Sequence, residues 1–344
     1  MKKLTKFRTF ALLAFMALGF TSCNDDDDAP VVTPPMDNTI TGIASRTPQL
    51  SILVQALTRA GLADDLQNSN SQLTAFAPTN DAFNAFFLSI SSTTNVNNVD
   101  LPTLTKVLLN HVIASEIKSA NVPAAGYVST LSPFGTGTNS PTISMFVQKV
   151  GQDVFINGGT ATTGVKVTTA DVDASNGVVH IVNKVIAIPT IVDHVVANPD
   201  FDTLQAVVTS TGGTFGDQSA VLNILSGITA TAPATLFAPN NTAFTNATTG
   251  TGFLTGANLT AANVTKTLQY HATTADNVRS SALQNNQPVP MITNPVQNTT
   301  VILGTNTVDI RDTANNLSRV FQADIQCSNG VIHGVNSVLK PVFN

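Results

Sequence analysis

The stretch Leu73-Thr74-Ala75-Phe76-Ala77-Pro78-Thr79-Asn80-Asp81-Ala82-Phe83 returns 161 residues later as Ala234-Thr235-Leu236-Phe237-Ala238-Pro239-Asn240-Asn241-Thr242-Ala243-Phe244. In the first copy apolar residues alternate up to Pro78, which ends a strand. Thr79 can cap a helix, Asp81 falls in its positive first turn, and Phe83, Phe86 and Phe87 share one face. The stretch therefore reads as a strand-to-helix joint. In the second copy Asn240 takes the capping place and Phe244 the core place.

Three further matches flank this one in the same order. Pro48–Leu53 corresponds to Pro199–Leu204 at an offset of 151, His111 to His271 at 160, and Ser175–His180 to Ser328–His333 at 153. Small drifts between the offsets are what loop insertions produce, so the chain holds a duplicated domain of about 150 residues. The boundary falls near Pro189, giving domains over 38–189 and 190–344. In each copy a helix carries the histidine on its buried face: Leu104, Val107, Leu108, His111 and Val112 follow helical spacing, as do Val264, Thr267, Leu268 and His271. Asn176-Gly177 and Asn329-Gly330 sit between β-rich flanks and reach the positive φ of a tight hairpin.

Of 344 residues, 42% are hydrophobic and 11% charged, enough apolar material for two cores and too little charge for a disordered chain. The net charge of −5 and the lack of a Lys/Arg-rich run past residue 10 argue against nucleic acid. There is no Trp and only two Tyr, so the stacking platforms that usually grip sugars or bases are scarce, and the 18 Phe read as core. Two cysteines, Cys23 and Cys327, cannot form a disulfide framework.

Residues 1–22 read as a signal peptide: a basic start (Lys2, Lys3, Lys6, Arg8), an apolar run from Phe10 to Phe20, and small Thr21 and Ser22 before Cys23. Eleven apolar residues are too few for a membrane-spanning helix, which needs about 20. Phe20-Thr21-Ser22-Cys23 resembles a bacterial lipoprotein box, in which the Cys23 thiol is lipidated and the signal is cut before it. Phe20 stands where such boxes usually carry Leu. Without residues 1–22 the chain has 12 basic and 21 acidic residues, a net charge of −9. Residues 23–37 form an acidic, Pro-rich tether, which reads plainly as a solvated spacer. The run Asp25–Asp28 directly after Cys23 also resembles the surface-export signal of Bacteroidota lipoproteins. The expectation is an exported lipoprotein held in the outer membrane through Cys23 and facing the cell exterior.

The chain resembles tandem fasciclin-like domains, the adhesion module also found in periostin and plant arabinogalactan proteins. The resemblance covers roughly residues 38–344 and rests on the two joints, the helices ending in His, and the segments around Ser175–His180 and Ser328–His333. It implies an α+β fold: two domains, each a twisted β-wedge of about seven strands with several helices at one end. It also implies adhesion rather than catalysis. The family's Tyr-His motif survives as Tyr270-His271 and becomes Asn110-His111 in the first domain. Asp171-Val172 and Asp324-Ile325 resemble the acidic-aliphatic pair linked to adhesion in the family. The plainer readings are core histidines bonded to backbone, and a strand-edge Asp in a hairpin.

No HExxH, GxSxG or CxxC appears, and the five histidines are not at metal-ligand spacing, so no catalytic residue, metal or cofactor is expected. Asp202-Thr203-Leu204 and Asp312-Thr313-Ala314 resemble the Bacteroidota O-glycosylation acceptor. Partners expected are the membrane, a protein or polysaccharide surface ligand, and another copy of the chain. The competing reading is a structural accessory subunit of an envelope complex with no external ligand.

Overall fold

The computed structural model describes residues 36–67, 72–136, 140–158, 164–274 and 276–343. The signal segment, Cys23 and the tether up to residue 35 lie outside the described residues. Residues 37–344 form one compact unit.

In the first domain α1 (Ile40–Arg46) is capped by the Thr39 hydroxyl, which accepts from the Gly42 N–H. A short turn opened by Pro48 leads into α2 (Ser51–Ala60), which stops at Gly61 in the left-handed region, and α3 (Ala63–Gln67) follows. Then come β1 (Leu73–Pro78) and α4 (Asn80–Ile90), with the Thr79 hydroxyl accepting from the Ala82 N–H as the sequence implies. Next are α5 (Leu101–Asn110), β2 (Val112–Ile113), β3 (Ala125–Pro133), β4 (Thr142–Val150), β5 (Asp153–Ile156), β6 (Val165–Ala174) and β7 (Gly177–Val182). The seven strands close into a barrel in chain order, and β7 returns to lie parallel to β1.

Parallel pairing between β1 and β7 makes β1 a central strand, buried at every position. Its alternation therefore separates two cores and leaves no wet face. Leu73, Ala75 and Ala77 pack under the helices, while Phe76 packs with Met145, Val147 and Ile156 inside the barrel.

The second domain repeats the order with α6 (Ile191–Ala197), α7 (Asp202–Val208), α8 (Ser219–Ser226), β8 (Ala234–Pro239), α9 (Asn241–Thr248) and α10 (Ala261–Gln269). Its remaining strands are β9 (Ala272–Thr273), β10 (Pro288–Pro290), β11 (Asn298–Gly304), β12 (Thr307–Arg311), β13 (Leu317–Cys327) and β14 (Gly330–Val335). The sheet order is β10-β11-β12-β13-β14-β8-β9, with β8 and β14 parallel. Where the first domain closes through the Ile113–Thr130 pair, this sheet is drawn together by a bond from the Ile292 N–H to the Ala272 carbonyl (3.0 Å). Both domains are thus seven-stranded α+β wedges.

The Asn-Gly hairpins differ in one respect from the sequence reading. Positive φ falls on the glycines alone, Gly177 at 144° and Gly330 at 157°. A Cβ there would overlap the Leu73 and Ala234 carbonyls of the parallel neighbour, so close strand approach is what demands glycine. The asparagines serve as side-chain anchors. Asn176 Oδ1 accepts the Ile40 N–H (3.0 Å) and Asn329 Oδ1 the Ile191 N–H (2.9 Å), each tying the hairpin to the domain's first helix.

The two domains meet along a seam. The Asn198 side-chain amide donates to the Tyr127 hydroxyl (3.2 Å), and the Gln326 N–H donates to the Ser144 hydroxyl (2.9 Å). Tyr127 also packs on Phe146 of its own domain, ring centres 5.1 Å apart.

Candidate functional site

His111 is the C-cap of α5, and its ring is clasped from both sides. Nδ1 lies 2.7 Å from the Val107 carbonyl, and Nε2 lies 2.8 Å from the Ile186 amide nitrogen. A backbone N–H can only donate, so Nε2 is the bare nitrogen and Nδ1 carries the proton. His271 repeats this with the Thr267 carbonyl (2.7 Å) and the Leu339 N–H (2.9 Å). Burial drives both imidazoles down to about 4, so both stay neutral near pH 7.

The residue before each histidine differs because it reaches a different strap. The Asn110 amide donates to the Ile186 and Ala187 carbonyls (3.2 and 3.3 Å). The Tyr270 hydroxyl instead donates to the Asn298 carbonyl (2.8 Å), and burial pushes it up to about 12. Asn110, His111, Tyr270 and His271 are all buried, so a surface partner cannot touch their side chains in this conformation. What Asn110, His111 and His271 can do is fix the segment that follows each last strand, while Tyr270 holds the start of β11.

The acidic pairs sit at bulges. Asp171 lies at φ 58° and Asp324 at φ 61°, left-handed positions that Asp tolerates better than most side chains. The Asp171 carboxylate accepts the Ser119 N–H (2.7 Å) and hydroxyl, while its own N–H donates to His180 Nδ1 (3.2 Å). Asp324 repeats every contact with Ser280 (2.8 and 2.6 Å) and His333 Nδ1 (3.3 Å). Partial burial raises the Asp171 carboxyl, but the bonds from Ser119, helped by His180 and Lys118, outweigh it and hold the group below the usual carboxylate range. His180 and His333 donate through Nε2 to the Ile117 and Val278 carbonyls (2.9 Å each), the opposite tautomer to His111 and His271. Burial lowers both.

Of the eight residues singled out, Asp171, Val172 and Asp324 keep some exposure, and Ile325 is buried. Thr203 lies in the first turn of α7, and the exposed Thr313 donates its hydroxyl to the Lys340 carbonyl (2.8 Å). Cys327 is a free, fully buried thiol whose burial pushes it well up. Among the described residues no group of three or more His, Cys, Asp or Glu is placed to hold a metal ion, and no helix is long and apolar enough to cross a membrane.

Two features were not legible in the sequence. One is His194, which falls outside the four repeated histidines and sits at the seam. The other is an open cleft of about 540 Å³ on the second domain, lined by α9, the Thr251–Phe253 loop and the Ser337–Lys340 strap. Its lining residues are far apart in sequence and carry no motif.

The model of the fasciclin domain matches residues 48–189 and again 200–341, and the chain belongs to that family. Protein sll1483 of Synechocystis is 33% identical over 198 residues, covering 55% of this chain and 99% of that protein. A fasciclin-like arabinogalactan protein of Arthroderma benhamiae is 27% identical over 305 residues, 86% of this chain and 65% of that protein. Among solved structures, a FAS1 domain pair from the insect cell adhesion molecule fasciclin I is 19% identical, with a TM-score of 0.48. The match covers 85% of this chain and 96% of that one.

Proposed function

We propose that the protein is a cell-surface lipoprotein acting as an adhesion module, anchored through Cys23 and presenting two fasciclin domains to a protein or polysaccharide ligand. Fasciclin domains are adhesion-type modules, and that membership, in tandem, is the observation that carries the reading. The sequence supports the anchor: a signal segment ends at Cys23 and an acidic tether follows. Multiple acyl chains hold a protein on a membrane where one would hold it only marginally. The seam supports joint presentation, because hydrogen bonds and an edge-to-face ring pair link the two domains.

Protease treatment of intact cells, with metabolic labelling by a fatty acid, tests this. The expected result is fatty-acid incorporation that Cys23→Ala abolishes, and digestion of the folded domains on intact cells. Domains that survive on intact cells and are cut only after lysis would overturn surface display and favour the accessory-subunit role.

A further inference from the structure

Two differences between the copies fall in the lining of the cleft on the second domain. Ala247 of α9 occupies the place that Phe86 holds in α4, aligned by the Thr79 and Asn240 caps. Lys340 occupies the place of Ala187, aligned because Leu339 and Ile186 give their N–H groups to the equivalent histidines. The phenylalanine and alanine of the first domain are thus an alanine and a lysine in the second. The cleft's volume of about 540 Å³ is within the usual range for small-molecule sites.

Lys340 is held from three sides. The neighbouring Leu339 N–H is bound by His271, the Lys340 N–H donates to Asp312 (3.0 Å), and its carbonyl accepts from Thr313 (2.8 Å). Its ammonium stands 5.7 Å from the centre of the Phe253 ring and forms no ion pair among the described residues. The buried Asp312 carboxylate accepts from the N–H groups of Ala314, Asn316 and Lys340 and from the Asn316 amide, and it makes no ion-pair contact with the ammonium. No Asp or Glu lines the cleft. Asn246 and Thr251, also in the lining, are exposed and their side chains make no hydrogen bond among the described residues, and Leu317 adds an apolar patch.

We infer that this cleft binds a sugar acid: Lys340 takes the carboxylate, Asn246 and Thr251 the ring hydroxyls, and Leu317 the apolar face of the ring. An ammonium without an ion-pair partner among the described residues, carried on a backbone held at three points and on a chain of net negative charge, selects an anionic ligand. Neighbouring carboxamide and hydroxyl groups suit hydroxyls better than they suit a bare hydrocarbon acid. The inference deepens the adhesion reading, on which it rests, by naming the ligand chemistry.

The test uses the full-length chain in detergent micelles, titrated with galacturonate, polygalacturonate and neutral dextran. Saturable binding of a uronate probe and none of dextran is expected, weakened at least tenfold by Lys340→Ala and unchanged by Lys106→Ala on α5. Ala247→Phe, which restores the first domain's ring, should block the cleft to a similar degree, and Lys340→Ala decides alone if that variant does not fold. Binding of the monomer identifies a small-molecule site, and binding of the polymer only identifies a matrix contact; both support the inference. Absence of uronate binding, or binding indifferent to Lys340→Ala, overturns it. Cells that still adhere when carrying Lys340→Ala would overturn the cleft and leave the adhesion reading standing.

Discussion

Tyr127 of the first domain and His194 of the second meet edge to face, ring centres 5.3 Å apart and planes at 68°. His194 is fully buried, and burial drives its pKa down to about 4 against the opposing pull of Asp193 and the Ser144 backbone. The Tyr127 ring therefore packs against a neutral imidazole. Tyr127→Ala removes that contact and the hydroxyl that accepts from Asn198, at a cost of about 3 kcal/mol. Calorimetry should then show two separate unfolding transitions where the wild-type chain unfolds in one. A single unchanged transition in the variant would mean the seam does not couple the domains.

Acid should weaken the fold before any carboxylate of ordinary pKa titrates. His111, His194 and His271 are held near 4 in the folded chain and return to about 6.5 when it unfolds. Between these values the unfolded state binds more protons, so stability is full above pH 6.5 and is lost as the pH falls toward 4. Each histidine contributes up to about 3 kcal/mol to that loss. Denaturant midpoints at pH 7.5, 5.5 and 4.5 should fall steadily, and His194→Phe should flatten part of the slope. Equal midpoints across that range would contradict the neutral clasps.

The joint between strand and helix, the duplication and the buried histidines were all legible, because each is a local pattern of spacing or capping. The parallel return of β7 onto β1 was not, since nothing within Leu73–Pro78 distinguishes a strand buried on both faces from one buried on a single face. The candidate site was read only by type. The sequence placed Asn110, His111, Tyr270 and His271 on or beside a buried helix face, and the structure adds their partners. The cleft depends on what Ala247 and Lys340 leave open and put in place, which appears only when the two copies are laid over each other.

The bulge at Asp324 should be more sensitive than its exposure suggests. Asp324→Ala removes two bonds to Ser280 and forces a residue with a Cβ but no local hydrogen bond to hold φ 61°. The combined cost is about 2–3 kcal/mol. Asp324→Asn keeps one of the two acceptor oxygens and the left-handed preference and should recover about half of that in a denaturant titration. Equal losses in both variants would assign the effect to charge alone.

Cys327 should be inert while the chain is folded, being buried and held in its thiol form. A thiol probe applied to the Cys23→Ala chain should label Cys327 only after denaturant is added. Labelling at the native rate of an exposed thiol would place Cys327 at an open seam.

In the proposed role the two fasciclin domains attach the cell to something outside it. Intact cells displaying the full-length chain should be measured for adhesion to surfaces coated with matrix proteins, with acidic and neutral polysaccharides, and with the protein itself, beside cells carrying Cys23→Ala. Saturable adhesion to one coating, removed by Cys23→Ala, is the expected result. Adhesion that is the same with and without the anchor on every coating would contradict it.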